Sequence, residues 1–93
     1  MDGAKALQAI RSAGQLFLTK HARDRMAQRN VSYKDVQHAL QNASHAELSD
    51  DDDGYEEKWV VRGADIDGDE LYLVVIIEEI LVGGVRNVVV TVY

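Results

Sequence analysis

The spacing of apolar positions along this 93-residue chain changes near residue 44. Up to Ala43, apolar residues recur every three or four positions, which is the period of an amphipathic helix. From Ala46 onward they alternate with polar residues or form short unbroken runs, as in strands. Helices followed by strands predict an α+β domain with its N-terminal helices packed on one face of a mainly antiparallel sheet.

Two helices are predicted before residue 31, each with start and stop signals. Asp2 is a suitable N-cap for the first helix, and Gly14 is placed to end it in a left-handed conformation. Thr19 caps the second helix, which closes at Asn30. The intervening residues 16–18 are either a short buried connection or a one-turn strand.

A third helix begins at Ser32 and runs to about Asn42. Ser32 and Asp35 form a start signal close to a capping box. Its core face is predicted to consist of Tyr33, Val36, Ala39, Leu40 and Ala43. The polar residues between them are predicted to point outward: Lys34, Gln37, His38 and Gln41.

The remaining residues predict four strands. A short strand begins at Ala46, and the others cover residues 55–63, 71–79 and 85–93. The first connection is the turn-rich run Asp50-Asp51-Asp52-Asp53-Gly54, and Asp65-Ile66-Asp67-Gly68-Asp69 carries a hairpin signal. The third strand is apolar almost throughout and is therefore predicted to be central and buried on both faces. Trp59 and Tyr55 alternate along one face of the second strand and are interpreted as core residues.

Length and composition predict one domain over residues 1–93, with an N-terminal helix at 1–14 and an α+β core at 16–93. The chain has no cysteine, which excludes a disulfide framework and a thiolate metal site. We see no signal-peptide pattern and no apolar run long enough to cross a membrane. The expectation is a cytoplasmic protein.

Charge is distributed unevenly along the chain. Residues 1–46 carry seven Lys/Arg and three Asp/Glu, whereas residues 47–93 carry three Lys/Arg and thirteen Asp/Glu. The first half is therefore basic and the second acidic, although the net charge is −6. The acidic runs are interpreted as solvated turns, and the acidic half suits a protein partner better than RNA.

The second helix carries the main candidate for chemistry. His21, Arg25 and Arg29 are four residues apart and share one flank of the helix. An imidazole beside two guanidinium groups is able to hold a phosphate and move a proton near neutral pH. The alternative is that these are ordinary surface residues, with His21 bonded locally and the arginine stems lying on the sheet.

Other polar residues give weaker signals. Asp50 to Asp53 lack the ligand spacing of a calcium loop, and no metal site is predicted. His38 and His45 are interpreted as surface residues. Lys58 and Arg62 share one face of a strand and would enlarge the basic cluster if that face borders the His21 flank. Thr91 and Tyr93 share a face of the last strand, opposite Val92.

The chain also resembles a known family. The segments that carry this resemblance are L-T-K-H-A-R-D-R-M-A-Q-R-N-V-S, D-V-Q-H-A-L, D-I-D-G-D-E-L-Y-L-V-V and the closing V-V-V-T-V-Y. Over residues 16–93 they resemble the domain of unknown function 4258 family. The resemblance implies the RelE-like, barnase/colicin-type fold of ribonuclease toxins, with a four-stranded mainly antiparallel sheet.

The resemblance implies His21, Arg25 and Arg29 as the signature polar residues, and Thr91 as part of the last-strand motif. The expected activity is that of a bacterial metal-independent endoribonuclease of a toxin–antitoxin system, without a cofactor. Its RNA, free or ribosome-bound, would contact Lys20, Arg23, Lys58 and Arg62. Tyr93, Thr91 or Lys58 would assist as a second proton donor or phosphate ligand. A cognate antitoxin is the expected protein partner, and a non-catalytic protein-binding module on the same scaffold is the alternative.

Overall fold

The computed structural model describes residues 1–49 and 57–93. This part of the chain forms three helices and five strands, in the order α1 (Gly3–Ser12), β1 (Gln15–Leu18), α2 (Lys20–Arg29), α3 (Tyr33–Gln41), β2 (His45–Leu48), β3 (Trp59–Ala64), β4 (Glu70–Glu79) and β5 (Val85–Val92). The strands form one sheet with the order β1-β5-β4-β3-β2. The α+β class is therefore confirmed. Within the described ranges, no helix combines the length and apolar character needed to span a bilayer.

The predicted number of four strands is wrong, because the described residues form a five-stranded sheet. The sheet is mixed but mainly antiparallel, with three antiparallel pairings and one parallel pairing. The additional strand is β1, which pairs in parallel with β5, Gln15 opposite Arg86 and Leu18 opposite Val89. The segment before α2 is thus a strand rather than a connection. Its partner lies about 70 residues further along the chain, so local spacing does not show the pairing.

The antiparallel part of the sheet follows the predicted order. β3 pairs with β4 and β4 with β5, which makes β4 the central strand. The β3–β4 turn is the expected hairpin: Gly68 has a positive φ of 89°, and the Gly68 N–H donates to the Asp65 carbonyl at 3.0 Å. The acidic run 50–54 and Tyr55 lie outside the described residues, and β3 begins at Trp59.

Most of the helix signals are confirmed. Asp2 accepts from the Lys5 N–H at 2.8 Å, Thr19 caps α2, and Asn30 closes α2 with a φ of 56°. Gly14, however, does not end α1 in a left-handed conformation, because the C-cap is Ala13 at φ −59°. The chain passes directly into β1 there, and the Gly14 N–H donates to the Val85 carbonyl.

All three helices contribute buried residues to the core on one face of the sheet. α3 packs on β3, α1 packs against β2 and α3, and α2 lies along β5. The predicted core residues Val36, Ala39, Leu40 and Ala43 are buried, as is Trp59. Tyr33 is 47% exposed and was wrongly predicted as core, because it occupies the first position of α3, at the edge of the packed layer.

Gly63 sets the distance between α3 and the sheet. A Cβ atom at this position would lie 2.0 Å from the Ala39 carbonyl oxygen and 2.8 Å from its carbonyl carbon. No rotamer change relieves a clash with backbone, so only glycine permits this approach. The neighbouring His38 ring donates from Nδ1 to the Ala64 carbonyl at 2.8 Å and holds α3 to the end of β3. His38 is therefore a half-buried anchor, which corrects its prediction as a surface residue.

The opposite face of the sheet carries the alternate side chains of the strands. Phe17 and Tyr72 are 51% and 42% exposed there, and Ile76 and Val88 are half-buried. The prediction that residues 71–79 are buried on both faces therefore fails at Tyr72. In the described part of the chain, the helices pack on the other face, so we call this one the open face.

Asp35 connects the start of α3 to the β3–β4 turn. Its carboxylate accepts from the Ser32 N–H at 3.0 Å and the Ser32 hydroxyl at 2.9 Å, and from the Ile66 N–H at 3.3 Å. Ser32 in turn accepts from the Asp35 N–H, which completes the predicted capping box. These bonds to Ser32, and then the bond to Ile66, lower the pKa of Asp35 from its ordinary 3.8.

The lowered pKa of Asp35 predicts a pH-dependent contribution to stability. Because the folded-state pKa lies below the unfolded-state value, the contribution is complete above about pH 3.8 and is lost as the pH falls through the folded-state value. Asp35→Asn should therefore lower the free energy of unfolding at neutral pH, and this difference should shrink below pH 3.8. Urea unfolding of the original chain and of Asp35→Asn, from neutral pH to below pH 3.8, measures this difference in the free energy of unfolding. A difference that stays constant with pH would contradict the assignment.

Candidate functional site

The start of α2 is fixed to the sheet by Thr19. Its hydroxyl accepts from the Ala22 N–H at 3.1 Å and donates to the Val90 carbonyl at 3.0 Å, while its own N–H donates to the Val89 carbonyl. β1 ends at Leu18, so the last residues of β5 have a free edge that α2 occupies. The first turn of α2 is therefore held against the C-terminal end of β5.

His21 and Arg25 lie on successive turns of α2, as their spacing predicts. His21 is exposed in the first turn. Arg25 is half-buried: its Nε donates to the Val92 carbonyl at 3.3 Å and its Nη1 to Gln28 Oε1 at 3.5 Å. These contacts use two of the five N–H donors of a guanidinium, so Arg25 is held in place and is still able to bind a phosphate.

The other charges of α2 make it strongly basic. The helix contains four Lys/Arg and one acidic residue. Arg23 is exposed, whereas Lys20 is paired with Asp24 at 3.2 Å. That pair is on the surface and is therefore weak. The positive end of the helix dipole lies at the same end of α2 as Lys20 and His21, and it adds to the attraction for anions.

Arg29 lies at the other end of α2, in an acidic environment. Arg29 and Tyr93 line one cavity of about 410 Å³. Five acidic residues also line it: Asp35, Asp65, Asp67, Asp69 and Glu70. The structure thus brings two of the predicted site residues together, but beside carboxylates that repel a phosphate.

Thr91 lies away from the basic flank of α2. Thr91 pairs with Val74. A register shift in β5 places both Val89 and Val92 in the core, and Thr91 therefore lies on the open face. Tyr93 follows the strand, and its N–H donates to the Tyr72 carbonyl at 2.8 Å. The spacing of Thr91 and Tyr93 does not show this irregularity, because a bulge changes which face a residue occupies.

Lys58 and Arg62 do not extend the basic surface of α2. Arg62 lies on the open face of β3 and pairs with Glu70 at 3.7 Å, and Lys58 immediately precedes that strand. β3 is two strands from β5, on the order of 10 Å across the sheet. His45, on β2, is exposed as predicted, and its Nδ1 is 2.9 Å from the Ser44 hydroxyl.

Sequence reasoning missed a second cavity. It has a volume of about 350 Å³ and lies between the end of α1, β1 and α3. We call it the glutamine cavity, because its polar side chains include Gln15, Gln37 and Gln41. Asn87, a buried residue of β5, also lines it. The signal in the sequence was a lone asparagine within the valine-rich last strand, V-R-N-V-V-V.

Comparison with models of known protein families shows which family this chain belongs to. The model of the family described as "Domain of unknown function (DUF4258)" matches residues 18–93. The chain belongs to the DUF4258 family. The matched part of this DUF4258 domain begins at the end of β1 and includes α2, α3 and strands β2 to β5, and thus the whole candidate site on α2. Searches of curated proteins and of solved structures gave no match.

Proposed function

We propose that this DUF4258 domain is a metal-independent endoribonuclease toxin whose site is the N-terminal half of α2. The observation that carries the proposal is the placement of an exposed histidine, His21, one turn before an arginine that is anchored to the end of β5. The helices on one face of a sheet support a RelE-like, barnase/colicin-type fold, in which β1 is an addition to the expected four strands.

RNA brings its own nucleophile to such a site. The 2′-oxygen attacks the adjacent phosphorus, a 2′,3′-cyclic phosphate forms, and the 5′-oxygen leaves with a proton. His21 takes the proton from the 2′-hydroxyl or supplies the one to the leaving oxygen. Arg25 donates hydrogen bonds to the phosphate oxygens and stabilises the charge that builds up on them. Neither role requires a metal ion.

The charges on α2 favour its first two turns for RNA. Lys20 and the helix N-terminus lie at the same end of α2 as His21 and attract the phosphate backbone, whereas Arg23, two positions after His21, points to another side of the helix. Arg29 lies at the acidic cavity, so it contributes less to RNA binding than Arg25. Thr91, Lys58 and Arg62 lie outside this surface and have no direct role in the proposed reaction, and Tyr93 lies at the acidic cavity beside Arg29.

The dependence of RNA binding on salt tests the phosphate site. Two or three contacts between RNA phosphates and the cations of α2 predict a slope of about −1.5 to −2 in a plot of log K against log [salt] on single-stranded RNA. Arg25→Gln should make this slope shallower by about 0.7, and Arg29→Gln should change it less. Arg11→Gln removes the same charge from an exposed position on α1 and serves as the control. Equal effects of Arg11→Gln and Arg25→Gln would contradict the site.

The second candidate function is a protein-binding module on the same scaffold. It is favoured by the net charge of −6 and by the open face, where Phe17 and Tyr72 are exposed. In the toxin hypothesis, this partner is a cognate antitoxin with a basic or mixed segment. Complete absence of RNA binding at low salt would favour the binding module over the ribonuclease.

A further inference from the structure

Asn87, which lines the glutamine cavity, carries a buried acceptor without a donor. Asn87 is 3% exposed, and its Nδ2 donates to the Ile10 carbonyl at 2.9 Å, which fixes the orientation of the amide. Within the described part of the chain, Asn87 Oδ1 has no hydrogen-bond partner. A buried carbonyl oxygen without a donor is costly, because it has lost its water and gained nothing in exchange.

The other residues that line the glutamine cavity limit which chemical group would supply a donor to Asn87. The described lining contains no Asp, Glu, Lys or Arg, so the cavity suits a neutral group. Gln15, Gln37 and Gln41 each offer an amide donor and an amide acceptor. Tyr33 adds an aromatic ring at the edge, where it is half-exposed. The cavity therefore fits a planar, neutral group with several donors and acceptors.

We propose that the glutamine cavity binds a nucleobase, with a ring N–H or an exocyclic amino group of the base donating to Asn87 Oδ1. The glutamine amides would bond to the remaining polar atoms of the base, a pairing that amide side chains form well. Tyr33 supplies a surface on which the base stacks. This inference rests on the proposed function, because RNA is the molecule that presents the base.

The chain connects the cavity to the basic helix. Leu16 lines the cavity, and β1 runs from there to the cap of α2. The four steps along the chain from Leu16 to Lys20 span about 13 Å of extended backbone. One single strand of RNA is thus able to place a base in the glutamine cavity and a nearby phosphate beside α2, which would give the cleavage a sequence preference.

Unphosphorylated ribonucleosides test the cavity without the phosphate site. Adenosine, cytidine, guanosine and uridine are titrated into the isotope-labelled protein, and its NMR spectrum is recorded. We expect saturable shifts of the side-chain amide signals of Asn87, Gln37 and Gln41, and tighter binding of one nucleoside than of the others. Gln37→Ala should weaken that binding about threefold to tenfold, and Tyr33→Ala about fivefold or more. Gln8→Ala, on α1 and outside this cavity, should leave it unchanged.

The two proposals fail separately in this experiment. Because nucleosides carry no phosphate, Arg25→Gln should not alter their affinity although it weakens RNA binding. The base-binding inference is overturned if no nucleoside gives a saturable shift, or if Tyr33→Ala and Gln37→Ala bind as tightly as the original chain. Nucleoside binding by a protein that does not cleave RNA would support the cavity and refute the ribonuclease proposal. RNA cleavage without nucleoside binding would refute the cavity alone.

Discussion

Gly63→Ala is expected to destabilise the fold by about 3 kcal/mol or more, at the upper end of what overpacking costs. The added methyl group would lie 2.0 Å from the Ala39 carbonyl oxygen, so α3 has to move away from β3 by more than an ångström. That movement would strain the His38–Ala64 bond and open contacts along the helix. Thermal unfolding should show a Tm lower by about 12 °C or more, since 1 kcal/mol corresponds to roughly 4–8 °C for a domain of this size.

Gly14→Ala is the matched control for this prediction. A Cβ at Gly14 meets no atom within 4 Å, and its φ is not positive, so alanine fits there. This substitution should be neutral or stabilise the fold by about 0.4–1 kcal/mol, because it restricts the unfolded chain. Equal stability of the two alanine variants would show that α3 does not approach β3 as closely as the structure indicates.

The helices could be predicted from the sequence because their ends are marked by local hydrogen bonds. The signals at Asp2, Thr19, Asn30, Ser32 and Asp35 all correspond to caps in the structure. Each cap involves residues within three or four positions of one another, which is the range over which sequence patterns carry information. Gly14 is the exception, because its N–H donates to the Val85 carbonyl of β5. This bond, rather than a helix-ending signal, sets the backbone conformation at Gly14.

Two features of the sheet depend on residues that are far apart in the sequence. One is the pairing of the fifth strand, β1, and the other is the face of the sheet on which each residue of its partner β5 lies. Residues 16–18 are too short to reveal a strand on their own, and only the free edge of β5 makes them one. The register shift beside Val74 likewise sets which face Thr91 occupies. Long-range pairing and bulges leave no periodic signal in the chain, so these features required the structure.

In the candidate site, too, some features could be predicted from the sequence and others required the structure. His21 and Arg25 belong to one helix, so their spacing was enough to place them on one flank. The positions of Lys58 and Arg62 depend on the strand order, and they lie away from α2. The acidic surroundings of Arg29 and the buried Asn87 amide also depend on tertiary packing, which composition and spacing do not report.

His21→Ala is expected to have the largest effect on activity. If His21 transfers the proton in RNA cleavage, its loss should reduce the rate about 10²–10⁴-fold. The side chain is exposed, and the described residues show no hydrogen bond or ion pair of its ring, so the melting temperature should not change. His45→Ala removes another exposed histidine, from the far edge of the sheet on β2, and should retain full activity.

The rate at which the purified protein cleaves RNA in the presence of EDTA tests the central claim most directly. With EDTA the substrate is a mixed RNA; a ribosome-bound mRNA is assayed separately in Mg²⁺, which ribosomes require, and on both substrates the original chain is compared with His21→Ala and His45→Ala. The ribonuclease site on α2 predicts metal-independent cleavage to 2′,3′-cyclic phosphate ends by the original chain and by His45→Ala, with little or none by His21→Ala. Intact RNA on both substrates, or cleavage by His21→Ala at the original rate, would contradict it.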